Sequence, residues 1–508
     1  MTNPNAHLCI SDLVEQAMRR YGDATALITS DEQFSYRQLD ERARRLAGFL
    51  QAKGIQRGDR IALHLRNGAE YVVADLAILK LKAVKVPLNE LMAPSELEYC
   101  LSHSEAAAMI SHASLPVASG SMERLSVRIS VADAQPARAG WMCWDEAASY
   151  TGEFNPGTAA KPDDMAMVAY TGGTTGHPKG VLHVQHRLAL NLLAHVICGD
   201  VRADEVMLLT TPLPHSAGYH LQACLLQGGT IVLATRFDPE GFVALANRHH
   251  ATWTFAVPTM LYRLFDYLAE TGKLPGSLRT IVYGAAPMSK ERLEEGLGTL
   301  GPVFLQLFGQ TECPNYITTL SKADHLDPGL LPSCGRAVAM LDLRIRKSDG
   351  AIAGPGEVGE VEVSSPYSLV EYYKNPDATV SAIRDGWLRT GDLGYLDQNR
   401  YLFLVDRAKD MIISGGMNVY SVEVEAALRQ HEAIRDVAVI GIADPDWGEA
   451  VVSFVVAGRQ VSEEEVRAFA KTVLSKYKVP KRVIFVQTLP VTKYGKIDKK
   501  ILRSELAH

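Results

Sequence analysis

Tyr170-Thr171-Gly172-Gly173-Thr174-Thr175-Gly176-His177-Pro178-Lys179-Gly180 is the stretch that decides how this chain is read. Four glycines, three threonines and one lysine share these eleven residues. Glycines let backbone N–H groups turn inward at positive φ, where a side chain would obstruct them. Threonine hydroxyls add donors for phosphate oxygens, and Lys179 adds a point charge. The stretch suits a loop that wraps the phosphates of a nucleoside triphosphate. Glycine–threonine runs also occur in plain loops, so this one needs company. A Walker loop requires Gly-Lys-Ser/Thr entering a helix. Here Pro178-Lys179-Gly180 is followed by Val181, and that reading fails.

At 508 residues the chain exceeds one ordinary core, so two or more domains are expected. A hydrophobic content of 47% with 22% charged residues describes a globular protein. A formal net charge of -6 argues against general nucleic-acid binding, and no basic amphipathic helix points to a membrane. Residues 1–6 lack the basic-then-apolar order of a signal peptide, and apolar runs such as 450–457 are too short to span a bilayer. A cytoplasmic location is expected. The seven cysteines are scattered and lack Cys-x-x-Cys spacing, so they read as reduced thiols without a zinc site.

Strand-like and helix-like segments alternate over most of the length. Residues 230–234 and 252–256 are apolar β-branched runs. Pro258 then suits the first turn of a helix carrying Leu261, Leu264, Phe265 and Leu268. Residues 278–283 read as a strand, followed by a turn at Gly284-Ala285-Ala286-Pro287, a helix from Ser289 and a strand at 303–307. This repetition implies parallel sheets covered by helices, with ligands at the carboxyl ends of the strands. From residue 340 glycines punctuate short alternating runs, which suggests antiparallel hairpins. After Asp406, a helix from Val422, strands near 437–440 and 451–456 and a helix over 462–474 suffice for a small α+β domain. The expected domains are 1–406 and 407–508.

Five further constellations accompany the loop. Phe308-Gly309-Gln310-Thr311-Glu312 follows an expected buried strand; Phe308 can stack on a purine and Glu312 can hold Mg²⁺ bridging phosphates. Asp392, in Thr390-Gly391-Asp392, is a carboxylate able to accept both ribose hydroxyls. Asp406-Arg407 leads to Ser414-Gly415-Gly416-Met417-Asn418. Pro490-Val491-Thr492-Lys493-Tyr494-Gly495-Lys496-Ile497 lies near the C-terminus, and Leu213-Pro214-His215-Ser216-Ala217-Gly218 lies earlier. Taken singly, each reads as an ordinary turn, a solvated lysine or a structural histidine.

Together, in this order, the six motifs closely resemble the adenylate-forming superfamily of acyl-CoA synthetases, aryl-CoA ligases, luciferases and carrier-protein adenylation domains. The resemblance begins near Phe34-Ser35-Tyr36-Arg37-Gln38-Leu39 and Gly58-Asp59-Arg60, and continues past Val86-Pro87-Leu88-Asn89. It implies an α/β fold: a large N-terminal domain of parallel αβα sheets plus a small β-barrel-like subdomain, and a small mobile α+β C-terminal domain. It also implies a reaction in two halves. A carboxylate joins ATP to give acyl-AMP and pyrophosphate, and a thiol then displaces AMP to give a thioester. The implied cofactors are ATP, Mg²⁺ and coenzyme A.

By that resemblance, Thr171, Gly172, Gly173, Thr174, Thr175, Gly176 and Lys179 embrace the β- and γ-phosphates. Glu312 resembles the Mg²⁺-associated carboxylate, and Thr311 neighbours the α-phosphate. Gly284, Ala285, Ala286 and Phe308 form the adenine slot, while Asp392 and Arg407 contact ribose. Lys496 matches the catalytic lysine, whose charge offsets the charge developing between carboxylate and α-phosphate. Lys409 matches the hinge, and Gly415 and Gly416 line the pantetheine channel. His215 resembles the mobile aromatic that guards the carboxylate.

Departures from the family pattern bear on the substrate. Gly172 stands where Ser is usual, Lys82 replaces a common glycine and reads as a surface matter, and Leu307 replaces a frequent glycine and should narrow one pocket wall. Ser421 replaces a frequent proline and can cap the following helix. The expected acyl pocket comprises His215, Ala217, Gly218, His220, Leu221, Tyr283, Leu307, Gly309, Cys313 and Asn315. It lacks an Asp placed to grip an amino group, which disfavours amino acids and favours an aryl, alicyclic or medium-chain acid. A carrier-protein phosphopantetheine is the second acceptor considered, and a non-catalytic nucleotide-binding protein the second class. Intact Lys496, Glu312, Asp392 and Arg407 argue against the latter. Luciferase-type oxidation is a minor branch. No nucleic-acid partner is expected, and the chain is read as a monomer or homodimer.

Overall fold

Pro258 opens the helix Pro258–Thr271 because its fixed φ and missing N–H cost nothing in a first turn. The helix buries Leu261, Leu264, Phe265 and Leu268 along one stripe and stops at Gly272, whose φ is 67°. The same logic of caps and stripes recurs along the chain. Ser35 and Gln38 form a capping box at the start of Tyr36–Ala52, and Ser462 and Glu465 form another at Glu463–Val473. The computed structural model describes residues 8–117, 120, 124–171, 178–407, 410–414, 417–444, 447–492 and 497–506. Its backbone divides into two compact units, Met1–Asp342 with Ser364–Leu388, and Leu343–Val363 with Arg389–His508.

The first unit contains two large sheets, as the α/β reading requires. In one, Phe304–Gln310, Thr280–Gly284, Trp253–Ala256, Val206–Leu209, Thr230–Leu233 and Thr25–Ile28 run parallel. Cys313–Leu320 joins one end antiparallel and Gln33–Ser35 the other. Helices Pro239–His249, Pro258–Thr271 and Lys290–Leu300 pack on one face through Phe242, Leu264, Phe265 and Leu293. The second sheet has Met165–Thr171, Val84–Pro87, Arg60–His64, Ala106–His112 and Val127–Val131 in parallel, with Lys179–Val184 antiparallel beside Met165–Thr171. Among the described residues no helix is long and apolar enough to cross a membrane.

Lys82 departs from the surface role read from the sequence. It ends the helix Ala69–Leu81 in the left-handed conformation at φ 53°, and its own N–H bonds Ile78 O and Leu79 O. Its side chain is buried, and Nζ donates to Pro156 O at 2.6 Å. The left-handed cap explains why glycine suits this place, and the backbone contact explains how a lysine tolerates it.

In the second unit, Leu402–Arg407 lies antiparallel to Trp387–Leu396, in a sheet with Asp342–Arg346 and Gly359–Ser364. This sheet stands where the resemblance implies a barrel-like subdomain. Farther on, Ile434–Asp444 and Gly448–Ala457 form a long antiparallel pair, with Arg482–Phe485 parallel to the latter. Residues 437–442 and 450–457 are almost wholly apolar because both faces are covered. Val437, Val439, Val451 and Val455 enter one core, while Ala438, Ile440, Val452 and Phe454 enter the other.

Two expectations concern the first unit. Asp75 is buried with Lys85 Nζ at 2.8 Å and accepts from Gln222 Nε2 at 2.8 Å. Asp75→Asn strands the buried ammonium and should cost about 3 kcal/mol in urea unfolding, whereas adding Lys85→Met should restore much of it. Burial holds His64, His112, His183 and His195 down to pKa values of about 4. Each is neutral when folded yet binds a proton on unfolding below its ordinary value of about 6.5. Their contribution is therefore complete above pH 6.5 and lost as pH falls toward 4. Urea midpoints should drop steeply across that window; a flat profile would contradict the assignment.

Candidate active site

The strands Met165–Thr171 and Lys179–Val184 are antiparallel, and their last pair, Thr171 with Lys179, closes the base of the glycine–threonine loop. Gly172, Gly173, Thr174, Thr175 and Gly176 lie outside the described residues. The short strand Glu371–Tyr372 adds to the free edge of Lys179–Val184, with Tyr372 opposite Val181. Tyr373 N donates to Gly180 O at 2.7 Å, and Val370 N to Leu182 O at 2.9 Å. This addition brings Tyr372 against two residues that the sequence holds far apart. Lys179 Nζ stands 4.7 Å from the centroid of its ring. Its hydroxyl donates to Glu312 Oε1 at 2.7 Å.

Thr311 and Glu312 form the turn between Phe304–Gln310 and Cys313–Leu320. The turn is held from outside: Leu369 N donates to Glu312 O at 2.6 Å, and His183 Nε2 donates to Thr311 O at 2.9 Å. Glu312 itself is only 8% exposed. Sequence reading found Lys179 and Glu312 and missed Tyr372, whose only signal was an aromatic pair in a run without periodicity.

Gly284 ends its strand directly opposite Leu307. A Cβ there would lie 2.4 Å from Leu307 O, so only glycine permits this approach. Ala285 follows at φ 66° and is exposed, a left-handed alanine at the carboxyl end of parallel strands. Phe308 is half-buried one residue beyond Leu307. The loop base, the Thr311–Glu312 turn and the Gly284–Ala286 turn thus all belong to the first unit.

Strand alternation sorts the expected acyl pocket. Leu305 and Leu307 share one face of their strand, while Phe304, Gln306 and Phe308 share the other, and a register shift follows Phe308. Tyr283 pairs with Gln306 and so lies on the second face, inside the core with Phe304. Its hydroxyl meets His325 Nε2 at 3.0 Å. Tyr283 is therefore a core residue on the face away from Leu307, and the pocket reading is corrected there: one step of register separates the two.

Asn315 sits at φ 62° with its backbone against Gly309, where a Cβ would come 2.5 Å from Asn315 C. Its Oδ1 accepts from Ser216 Oγ at 2.8 Å, and its Nδ2 donates to His195 Nε2 at 2.8 Å. His195 Nδ1–H in turn donates to Asn191 O at 2.8 Å. Asn315, Gly309 and Ser216 are thereby brought together. Gly218 opens the next helix, where a Cβ would meet Leu213 O at 2.4 Å. His215 breaks the helical run with ψ -148°. Asn89 Oδ1 accepts from Leu91 N, which turns Asn89 Nδ2 toward His215 Nε2 at 2.7 Å. That nitrogen is then the acceptor and Nδ1 carries the proton. Leu221 and Cys313 are buried, and His220 is sealed against Trp253, Phe255 and His195.

In the second unit Asp392 is buried opposite Arg407 in the antiparallel ladder, and its N–H donates to Thr390 Oγ1 at 3.1 Å. Ser421 does not cap its helix: it is the first helical residue, and Tyr420 holds the cap position. Its hydroxyl instead accepts from Lys499 Nζ at 2.6 Å, and Lys499 also pairs with buried Glu425 at 2.8 Å. Val491 bridges Ile497, and Asp498 N donates to Pro490 O at 2.8 Å. These contacts secure both flanks of the segment that carries Lys496. Lys496, Lys409, Gly415 and Gly416 lie outside the described residues. Among the described residues no group of three or more His, Cys, Asp or Glu side chains could hold a metal.

Comparison with known proteins converges on one family. The AMP-binding enzyme model matches residues 14–373, and the AMP-binding enzyme C-terminal domain model matches residues 423–496. Feruloyl-CoA synthase of an Amycolatopsis species is 34% identical over 490 residues, 94% of this chain and 95% of that protein. The medium/long-chain-fatty-acid–CoA ligase FadD8 of Mycobacterium tuberculosis is 36% identical over 368 residues, 71% of this chain and 64% of that protein. Among solved structures, the amide bond synthetase McbA from Marinactinospora thermotolerans superposes with a TM-score of 0.87 at 31% identity, covering 98% of this chain and 99% of that one. With its Thr171–Lys179 pair, Thr311–Glu312 turn and left-handed Ala285 in place, the chain belongs to the AMP-binding enzymes, the adenylate-forming superfamily of acyl- and aryl-CoA synthetases.

Proposed function

We propose that this protein joins a carboxylic acid to ATP, releasing pyrophosphate, and passes the acyl group from acyl-AMP to the thiol of coenzyme A. The observation that carries this reading is the meeting of Lys179 and Glu312 on Tyr372 at the base of the glycine–threonine loop. A cation and a carboxylate held beside a phosphate-type loop suit a triphosphate accompanied by a divalent ion. Lys179 draws the phosphates, and Thr171, Thr174 and Thr175 donate to their oxygens.

Glu312 also suits Mg²⁺. It is one buried carboxylate, and Tyr372 takes one of its roughly four lone-pair sites. Mg²⁺ is usually held by one or two carboxylates together with substrate phosphates. Bound there, the ion would supply positive charge beside the departing pyrophosphate. Gly284, Ala285, Ala286 and Phe308 receive the adenine, and Asp392 with Arg407 takes the ribose hydroxyls.

Lys496, carried by a mobile C-terminal domain hinged near Lys409, offsets the charge that develops as the carboxylate attacks the α-phosphate. A carboxylate is a poor electrophile, and conversion to acyl-AMP provides a good leaving group for the thiol. Rotation of the domain then presents Gly415 and Gly416 to the pantetheine arm. His215 guards the carboxylate end of the pocket.

The acid we favour is aryl, alicyclic or medium-chain. Ala217 presents only a methyl group, which we read as leaving space for a ring; at Gly218 that space is taken by Leu213 O, and Leu307 narrows the wall beside Gly284, where its Cδ1 would come 2.7 Å from a Cβ. Feruloyl-CoA synthase and FadD8 bracket this range, one with an aryl acid and one with fatty acids. Coenzyme A is the acceptor favoured by these relatives; a carrier-protein phosphopantetheine is the alternative, and the amide bond synthetase marks an amine as a third.

Acid-dependent exchange of pyrophosphate into ATP, run over an aryl, alicyclic and fatty acid panel, tests the reading. Exchange with at least one ring-bearing or medium-chain acid is expected, and silence across the panel would defeat it. Competing coenzyme A, carrier protein and amine acceptors for the acyl-AMP should yield mainly the CoA thioester. Lys496→Ala should lower exchange about a hundredfold or more while still converting supplied acyl-AMP to thioester; equal loss of both steps would show its role misassigned. Leu307→Gly should widen the set of bulky acids accepted, raising kcat/KM for them about tenfold; an unchanged acid profile would remove Leu307 from the pocket.

A further inference from the structure

We infer that Tyr372 is a positioning residue for adenylation, aiming the Glu312 carboxylate with its hydroxyl while confining the Lys179 ammonium on its ring. The inference rests on the adenylating reading above and adds to it a residue that neither sequence motif nor family resemblance supplied.

Glu312 needs such a partner. The last torsion of a glutamate is broad and nearly two-fold, so the carboxylate plane is not fixed by the rotamer. The hydrogen bond from Tyr372 at 2.7 Å fixes one oxygen, and with it the direction in which the remaining lone pairs point. Lys179 has the same problem on a longer scale, with four rotatable bonds. A ring face 4.7 Å from Nζ confines it without consuming its charge. The two opposite charges therefore meet through a phenol rather than as an ion pair. A direct pair would satisfy both groups with each other and leave less for a triphosphate and its metal.

Tyr372 is rigid enough for this. It is 7% exposed, pairs with Val181 in the sheet, and its N–H donates to Thr379 Oγ1 at 2.9 Å. The strap bearing Tyr372 is also fastened at Glu312 itself, through Leu369 N to Glu312 O. Two hydrogen bonds thus tie the strap to Glu312, one at its carboxylate and one at its carbonyl.

Tyr372→Phe separates positioning from packing, since it keeps the ring over Lys179 and deletes only the hydroxyl. Pyrophosphate exchange should fall about tenfold, the loss expected for one hydrogen bond to a charged group. The Mg²⁺ concentration for half-maximal exchange should rise several-fold. In equilibrium titrations Mg²⁺-ATP should bind several-fold more weakly, with metal-free ATP unchanged. Thioester formation from supplied acyl-AMP should stay within about twofold of wild type. In a Glu312→Gln background, Tyr372→Phe should add no further loss, because the carboxylate it aims is gone. Unchanged Mg²⁺ dependence, or additive losses in the double variant, would overturn the inference while wild-type exchange upheld the adenylating reading. Wild-type protein that exchanges pyrophosphate with no acid would defeat that reading and this inference with it.

Discussion

The candidate site depends on a two-residue strand. Glu371–Tyr372 anneals to the exposed edge of Lys179–Val184, and that pairing delivers an aromatic side chain to a lysine and a glutamate from two other segments. Edge pairing is well suited to the task, because backbone hydrogen bonds set register to within one residue, and one residue decides which face a side chain takes. Slipped by one, Tyr372 would point away from Glu312 and Tyr373 would take its place. The strap is accordingly held at several points: Tyr373 N to Gly180 O, Val370 N to Leu182 O, and Arg187 donating to Ser368 O and Leu369 O.

Around this junction, close backbone approach is made possible by glycine at a few places. Gly284 lets its strand end against Leu307 O, Gly309 lets Asn315 press on the neighbouring strand, and Gly218 lets a helix begin against Leu213 O. In each case a methyl group would collide with backbone, which cannot yield as a flexible side chain can. The turns after Gly284 and at Thr311–Glu312 follow the carboxyl ends of two neighbouring parallel strands. Carboxyl ends are where open α/β sheets bind ligands.

The interior beneath is polar in an ordered way. His183, His195 and His220 are buried and neutral because burial disfavours the imidazolium. Neutral histidines can then act as directional hydrogen-bond partners: His183 holds Thr311 O, and His195 links Asn191 to Asn315. His183, which holds the turn bearing Glu312, therefore keeps its neutral form near neutral pH.

Much of this was legible beforehand. Alternating strand and helix signals predict parallel sheets, and Pro258 with its apolar stripe predicts the helix that forms. The base of the glycine–threonine loop, Thr311–Glu312 and the Gly284 turn all lie in the first unit. Other readings went astray for local reasons. Lys82 looks like surface because lysine usually is, yet it caps a helix in the left-handed region and reaches a backbone carbonyl. Ser421 looks like a cap, yet Tyr420 holds that position and Ser421 serves Lys499 instead. Tyr283 looks like a pocket wall because it adjoins Gly284 in the chain, but adjacent strand residues face opposite ways.

By itself, then, the order of residues determined fold class, family and the chemistry-bearing motifs, because those depend on local periodicity, turn chemistry and side-chain type. Tertiary structure alone decided which of those residues share a face and which unheralded side chain joins them. Tyr372 has no distinguishing neighbours in the chain; its meaning arises only when a distant strand edge is paired and two opposite charges arrive, one at its ring face and one at its hydroxyl.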